Sequence, residues 1–466
     1  MRKKVEDHNV FRQILLGTFI HSKSRTELEY MHNAAVAVNS HGTIAAVALG
    51  CDSLEDAKEK VLRETGWSDE EDDNDDEGEI HVYPNVGIFG KSTLLDWLAK
   101  YTFPLEASLS DLAKAKRVYT ACVRRTLAHG TTTATYYATI DVPATNLLAD
   151  LCLSLGQRAF VGRVCMDRAD ICPEFYRDAS TQASLDATRK TIAHIDRIDP
   201  GYELISPILT PRFAPSCSDA SMDGLTQLHK DRQIPVQTHI SENKGELQLV
   251  KDLFPESSSY ADVYDTHGLL TRKTVLAHGV HLSDAEASLI ASRESKISHC
   301  PCSNSSLTSG EARVRWLWEK GIEVGLGTDM SGGYSPSILE AARQATLTSR
   351  HLAMQMQEGE DREKCKLSVE EALFLATRGG ARCLGLADKI GGFEVGKQLD
   401  AQLITLGTVD ENGLRAGEEE SVHDAGNVDV FGWESWDEKV AKWLYNGDDR
   451  NTKKVWVKGR LVHSRR

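Results

Sequence analysis

Ile234-Pro235-Val236-Gln237-Thr238-His239-Ile240-Ser241-Glu242 is a short apolar run that closes on an imidazole, with a carboxylate three residues beyond it. The pattern recurs twice downstream. Thr274-Val275-Leu276-Ala277 leads into His278-Gly279, and Val324-Gly325-Leu326-Gly327 leads into Thr328-Asp329. Short continuous apolar runs bounded by turn residues are what strands covered on both faces look like, as in parallel sheets. In a barrel of parallel strands the chemistry sits at the strand ends, where all three polar residues fall. The runs therefore predict an α/β parallel barrel with His239, His278 and Asp329 at one mouth.

Neutral imidazole and carboxylate oxygen suit a borderline metal such as Zn2+, which lowers the pKa of a bound water to about 7. One Zn2+ per chain on His239, His278 and Asp329 is the expectation, with Glu242 placed to carry protons. Each residue alone has a plainer reading, the histidines as packed core or turn residues and the aspartate as a helix N-cap. It is their joint occurrence at three strand ends that favours the metal.

The chain has 466 residues, too many for one compact core and suited to a large barrel plus a smaller domain. Its 41% hydrophobic and 26% charged content is that of a globular protein. No stretch approaches the roughly 18 consecutive apolar residues of a membrane span, and the basic start Met1-Arg2-Lys3-Lys4 is not followed by a signal-peptide core, so a cytoplasmic location is expected. The ten cysteines lack framework spacing and read as free thiols; Cys300-Pro301-Cys302 is the one close pair and has no second pair to make a zinc site with it. Nine of the eleven residues from Asp69 to Glu79 are acidic, and removing their charge takes the net −15 to −6. Such a run repels itself and reads as a solvated or flexible segment. No basic cluster suits a nucleic acid, so the partner expected is a small molecule.

Ala34 to Val47 reads as strand, turn, strand, with Ser40-His41-Gly42 as the turn. Strand-like runs return at Gln402–Leu406 and Val455–Val462, which predicts that the two ends pair into one domain. Between them, helical stretches at Leu109–Leu127, Ser180–Ile195 and Val369–Leu384 alternate with apolar runs such as Arg158–Gly162 and Leu204–Leu209, the rhythm of βα units. The divisions expected are 1–66 and 399–466 as two halves of a β-sandwich, 67–80 as the acidic segment and 81–398 as the barrel.

Several longer motifs carry a family resemblance over nearly the whole chain. They are Leu95-Asp96-Trp97-Leu98 with Tyr101-Thr102-Phe103-Pro104, His129-Gly130-Thr131-Thr132-Thr133-Ala134, Gly156-Gln157-Arg158-Ala159-Phe160-Val161-Gly162, Thr210-Pro211-Arg212-Phe213, Tyr334 after Gly332-Gly333, and Gly447-Asp448-Asp449-Arg450-Asn451. These resemble the guanine deaminases within the amidohydrolase superfamily; Ala376–Ala381 and Gly392–Lys397 are similar to that superfamily's general ending. The resemblance implies a distorted TIM (β/α)8 barrel capped by a small β-sandwich from both termini, often dimeric, and a zinc-dependent conversion of guanine to xanthine and ammonia. It also implies Asp329 and Glu242 as proton carriers, with His239 and Glu242 also touching the substrate. Arg212 would meet the purine O6 and N7 acceptors, as arginine reads guanine elsewhere, and Phe213 would stack on the ring. The plainer reading of Arg212 is a structural ion pair. His299 could orient a ligand or simply pack; Asn304, Ser305 and Ser306 fall in a loop at the same mouth, and Thr131–Thr133 read as strand residues facing the barrel.

One departure stands out. The family places a strand ending in His-x-His just before the stretch seen here as Tyr83-Pro84-Asn85-Val86-Gly87, whereas this chain runs from its acidic segment through Glu79-Ile80-His81-Val82 straight to Tyr83. His81 is the one histidine near that place, and a glutamine that contacts guanine in the family is absent. Either the strand was lost through an altered transcript or gene model, or the site has decayed. The alternatives for function are therefore an aminohydrolase for another ring, such as a triazine, a pterin or cytosine, and a catalytically impaired scaffold.

Overall fold

At the N-terminus of the computed structural model, which describes residues 10–67, 86–357, 361–415 and 426–465, β1 (Gln13–Ser22), β2 (Leu28–Val38) and β3 (Ile44–Ala48) form an antiparallel sheet. Asn39 turns the chain between β2 and β3: its Oδ1 accepts from the backbone N–H of His41 and of Thr43. Gly42 follows at φ +74, and a Cβ there would lie 1.8 Å from the Lys458 carbonyl oxygen, so only glycine lets this turn meet the C-terminal strands.

Seven parallel strands of three or more residues follow, separated by helices: β4 (Thr133–Tyr137), β5 (Arg158–Gly162), β6 (Ile205–Pro207), β7 (Val236–Ile240), β8 (Thr274–His278), β9 (Lys296–His299) and β10 (Val324–Leu326). They pair in chain order, with a parallel bridge between Leu209 and Val236 carrying the sheet from β6 to β7. All five residues of β8 are buried, as its unbroken apolar run requires of a strand with the barrel interior on one face and helices on the other. The largest core cluster joins β7–β10 to these helices through residues such as Leu209, Met222, Leu225, Leu276 and Phe374. An eight-stranded barrel needs one strand more, and among the described residues none pairs with the outer edges of β4 and β10.

The C-terminal stretch supplies β11 (Ala401–Ile404), β12 (Thr452–Val457) and β13 (Arg460–Ser464), again antiparallel. The run Val455–Val462, read as one strand-like segment, is a hairpin: Lys458 (φ +49) and Gly459 (φ +73) turn it in two residues, the backbone a tight hairpin needs. Val36, Val38 and Ile44 share a core with Leu399 and Trp456, and backbone bonds from Ile44 N to Lys397 O and from Leu399 N to Gly42 O stitch the two ends together. The helix Trp436–Asn446, in the stretch assigned to the sandwich, packs instead on the barrel helix Ile338–Gln355 through Val440, Leu444, Leu339 and Ala342. Its apolar face is what takes it there.

All ten cysteines are free. Among the described residues no helix is long and apolar enough to cross a membrane. The acidic run Asp69–Glu79, His81 and Tyr83–Asn85 lie outside the described residues.

Candidate active site

The strand ends β7, β8 and β10 bring His239, His278 and Asp329 together, with one ligand atom from each within 4.8 Å of the others. The backbone pays for this placement: Ser241 (φ 50), His278 (φ 75) and Asp329 (φ 43) all adopt left-handed conformations, which cost non-glycine residues about 1–3 kcal/mol each and persist where surroundings impose them.

Both imidazoles are fixed in the tautomer a metal needs. His239 Nδ1 donates to the Arg212 carbonyl oxygen at 2.5 Å and His278 Nδ1 to Asn304 Oδ1 at 2.9 Å, leaving each Nε2 lone pair free. His278 Nε2 is buried without a hydrogen bond among the described residues, yet lies 3.3 Å from Glu242 Oε2 and 3.9 Å from Asp329 Oδ2. A buried lone pair facing two carboxylates is a place for a cation, so this donor set fits a metal ion. Burial, then its neighbour His278, push the His239 pKa down to about 3, which keeps it neutral. For His278 burial pulls the same way, but the Glu242 and Asp329 carboxylates outweigh it and the pKa rises.

Burial also pushes the Glu242 carboxyl up to about 7, with the Asp329 charge adding to the rise and His278 and the hydroxyl of Ser309 opposing it. Ser309 Oγ donates to Glu242 Oε1 at 3.0 Å. Beneath lies a second buried carboxylate, Glu246, whose Oε2 accepts from the backbone N–H of Glu242 and whose Oε1 accepts from the Tyr260 hydroxyl. Sequence reasoning missed both Ser309 and Glu246. Glu246 could have been found as the N3 residue of the Asn243-x-x-Glu246 capping box that starts the helix Lys244–Leu253; nothing in the sequence marks Ser309.

A pocket of about 90 Å3 opens over these groups, walled by Arg212, Phe213, Trp97 and Leu98. Trp97 and Leu98 belong to the helical stretch 94–107, which widens to a π turn over Leu98–Thr102 just before Pro104, whose missing N–H forbids a regular α turn. Phe213 is buried at the wall beside Trp97, Leu98 and Phe103. Arg212 lines the pocket and is also ion-paired, its Nη1 and Nη2 donating to the two oxygens of Glu106 at 2.7 and 3.0 Å, with the guanidinium 5.1 Å over the Phe103 ring.

The remaining residues named from the sequence fall in different places. His299 is fully buried and neither ring nitrogen has a partner among the described residues; the residue that orients His278 is Asn304. Ser305 points to solvent and Ser306 bonds back to Cys302 within its own helix, because the helix Pro301–Ser306 turns Asn304 inward and these two serines away from the site. Thr131–Thr133 line a second and larger cavity of about 520 Å3. It runs between β4 and β10 from Gln402 and Phe393 at the sandwich to His239 and Asp329 at the site, and Val86 lines it.

Comparison with known proteins gives concordant results. Residues 80–462 match the Amidohydrolase family. The chain is 48% identical over 385 residues to the probable guanine deaminase of Schizosaccharomyces pombe, covering 82% of this chain and 69% of that protein. It is 39% identical over 456 residues to human guanine deaminase, covering 96% of each. In structure it resembles the guanine deaminase of C. acetobutylicum with guanine bound in the active site, with a TM-score of 0.79, 30% identity, and coverage of 97% of this chain and 100% of that one.

Proposed function

The chain belongs to the amidohydrolase family, and we propose that it deaminates guanine hydrolytically, giving xanthine and ammonia, in the pocket between Arg212 and Glu242. The observation that carries this reading is the convergence of two histidines with free Nε2 atoms, Asp329 and a proton-ready Glu242 beneath a wall that presents Arg212. Similarity to guanine deaminases over most of the chain supports guanine as the substrate.

In the reaction the oxygen of water adds to C2 of the purine, the C2–N bond of the exocyclic amine breaks, and the amine leaves as ammonia. His239, His278 and Asp329 would hold the metal, for which zinc is the fit, and when bound it supplies Lewis-acid activation of water at neutral pH. Arg212 binds the O6 and N7 acceptors and Phe213 covers the ring, so C2 faces Glu242. Glu242 has a pKa near neutrality, so it donates a proton to the ring nitrogen beside C2 as readily as it takes one up, while Asp329 accepts the proton released by water. Ser309 and Glu246 hold the Glu242 side chain and backbone in place.

A second reading, a catalytically impaired scaffold, is favoured by one observation: the family's His-x-His strand has no counterpart among the described residues, and a cavity runs along the open seam from β4 to β10. A guanine-to-xanthine assay with a panel of triazine, pterin and cytosine substrates tests the first reading against both this one and a different heterocycle. A cytoplasmic location and a homodimer belong to the same proposal, to be tested by fractionation and sedimentation.

A further inference from the structure

Arg212 reaches the pocket with part of its hydrogen-bonding capacity already spent. Its end-on fork, Nη1 and Nη2, is taken bidentately by Glu106. The side-on fork, Nε with the second hydrogen of Nη2, has no other acceptor among the described residues. Glu106 is itself pinned, since the hydroxyl of buried Tyr176 donates to its Oε2 at 2.5 Å, and the Phe103 ring lies across the guanidinium. Glu106 also lines the pocket beside Arg212.

Two consequences follow from elementary electrostatics. A guanidinium gripped at one end cannot swing, so its free edge is aimed at one place. And a guanidinium whose charge is cancelled by an adjacent carboxylate attracts a neutral acceptor through its N–H groups but no longer draws an anion, because Glu106 repels it in a poorly screened interior.

We infer that Glu106 is a positioning and specificity-determining residue: it presents only the side-on fork of Arg212 to the ligand and makes the pocket select a neutral purine over an anionic one. This rests on the guanine reading above and deepens it, since the substrate guanine is neutral whereas xanthine ionises readily, so the pair would favour entry of substrate and release of product.

The test is equilibrium binding of hypoxanthine and xanthine to the full chain at mildly alkaline pH, where hypoxanthine is neutral and xanthine a monoanion. Neither carries an amine to lose. The wild-type chain should prefer hypoxanthine, and Glu106→Gln, folded by near-UV circular dichroism, should move the ratio toward xanthine by about tenfold or more, the size expected when one uncompensated charge is exposed to an anion. Glu106→Asp keeps the charge but shortens the grip. It should retain the preference while weakening hypoxanthine several-fold, and it serves if the glutamine variant does not fold. An unchanged ratio in Glu106→Gln, an equal loss of both ligands, or unaltered hypoxanthine binding in Glu106→Asp would overturn the inference while leaving the guanine reading intact. A wild-type chain that binds neither purine would overturn that reading, and this inference with it.

Discussion

Asn304 orients His278 from below by accepting its Nδ1–H, and the consequence can be measured. Asn304→Ala should leave the fold intact and weaken metal affinity by about 10- to 100-fold, the usual effect of removing a partner that fixes a ligand's tautomer; titration with zinc against a competing chelator would show it, and an unchanged affinity would mean that packing alone holds the ring. At this scale the sequence marks residues that end strands more sharply than those that reach the site from loops. His239, His278, Asp329 and Glu242 are legible because each follows an apolar run at fixed spacing. Asn304, on a short helix, was placed at the mouth by position alone, and Ser309, on a loop, carries no mark; they meet His278 and Glu242 only after the chain has crossed the barrel mouth. Arg212 was legible by its motif, but its partner Glu106 is 106 residues away and carries no local mark.

Among elements, the strands were the most readable. Arg158–Gly162 was legible to the residue, since a strand buried on both faces keeps Ala159, Phe160 and Val161 as an unbroken apolar run. Boundaries failed where geometry rather than hydrophobicity sets them: the hairpin at Lys458-Gly459 interrupts a run whose apolar character continues through it, and the helix Trp436–Asn446 reveals its partner only when Val440 and Leu444 meet the barrel. The second strand of that hairpin, β13, carries a titratable liability. Burial first, then the charge of Arg465, lower the His463 pKa to about 4, with His129 acting in the same sense and Asp449 against it. Because the folded value lies below the ordinary one of about 6.5, the unfolded chain takes up this proton first as the pH falls. Stability from the neutral ring is therefore complete above about pH 6.5 and is lost progressively down to about pH 4. After allowance for partial exposure the loss is on the order of 1 kcal/mol. His463→Leu should flatten the urea-unfolding profile across that window relative to the parent chain; identical slopes would contradict the assignment.

For the whole molecule, the barrel and its two-ended sandwich follow from the alternation of apolar runs and helices, and the comparisons agree with that fold. What the sequence did not convey is where its departure from the family would fall in space. Seven described strands leave the edges of β4 and β10 unpaired along a cavity that reaches His239 and Asp329. Inserting a strand that carries His-x-His ahead of Tyr83 should raise zinc affinity and xanthine formation by about tenfold or more, because ligands added to a partial set contribute directly to metal binding. A folded insertion variant with unchanged zinc affinity and no xanthine formation would favour the scaffold. The chain as it stands faces a simpler trial: elemental analysis of the purified protein for zinc, run beside a guanine-to-xanthine assay with a Glu242→Ala control. We expect close to one zinc per chain and xanthine formation that disappears in the control; a folded chain with neither zinc nor turnover would contradict the proposal that His239, His278, Asp329 and Glu242 form a working deaminase site.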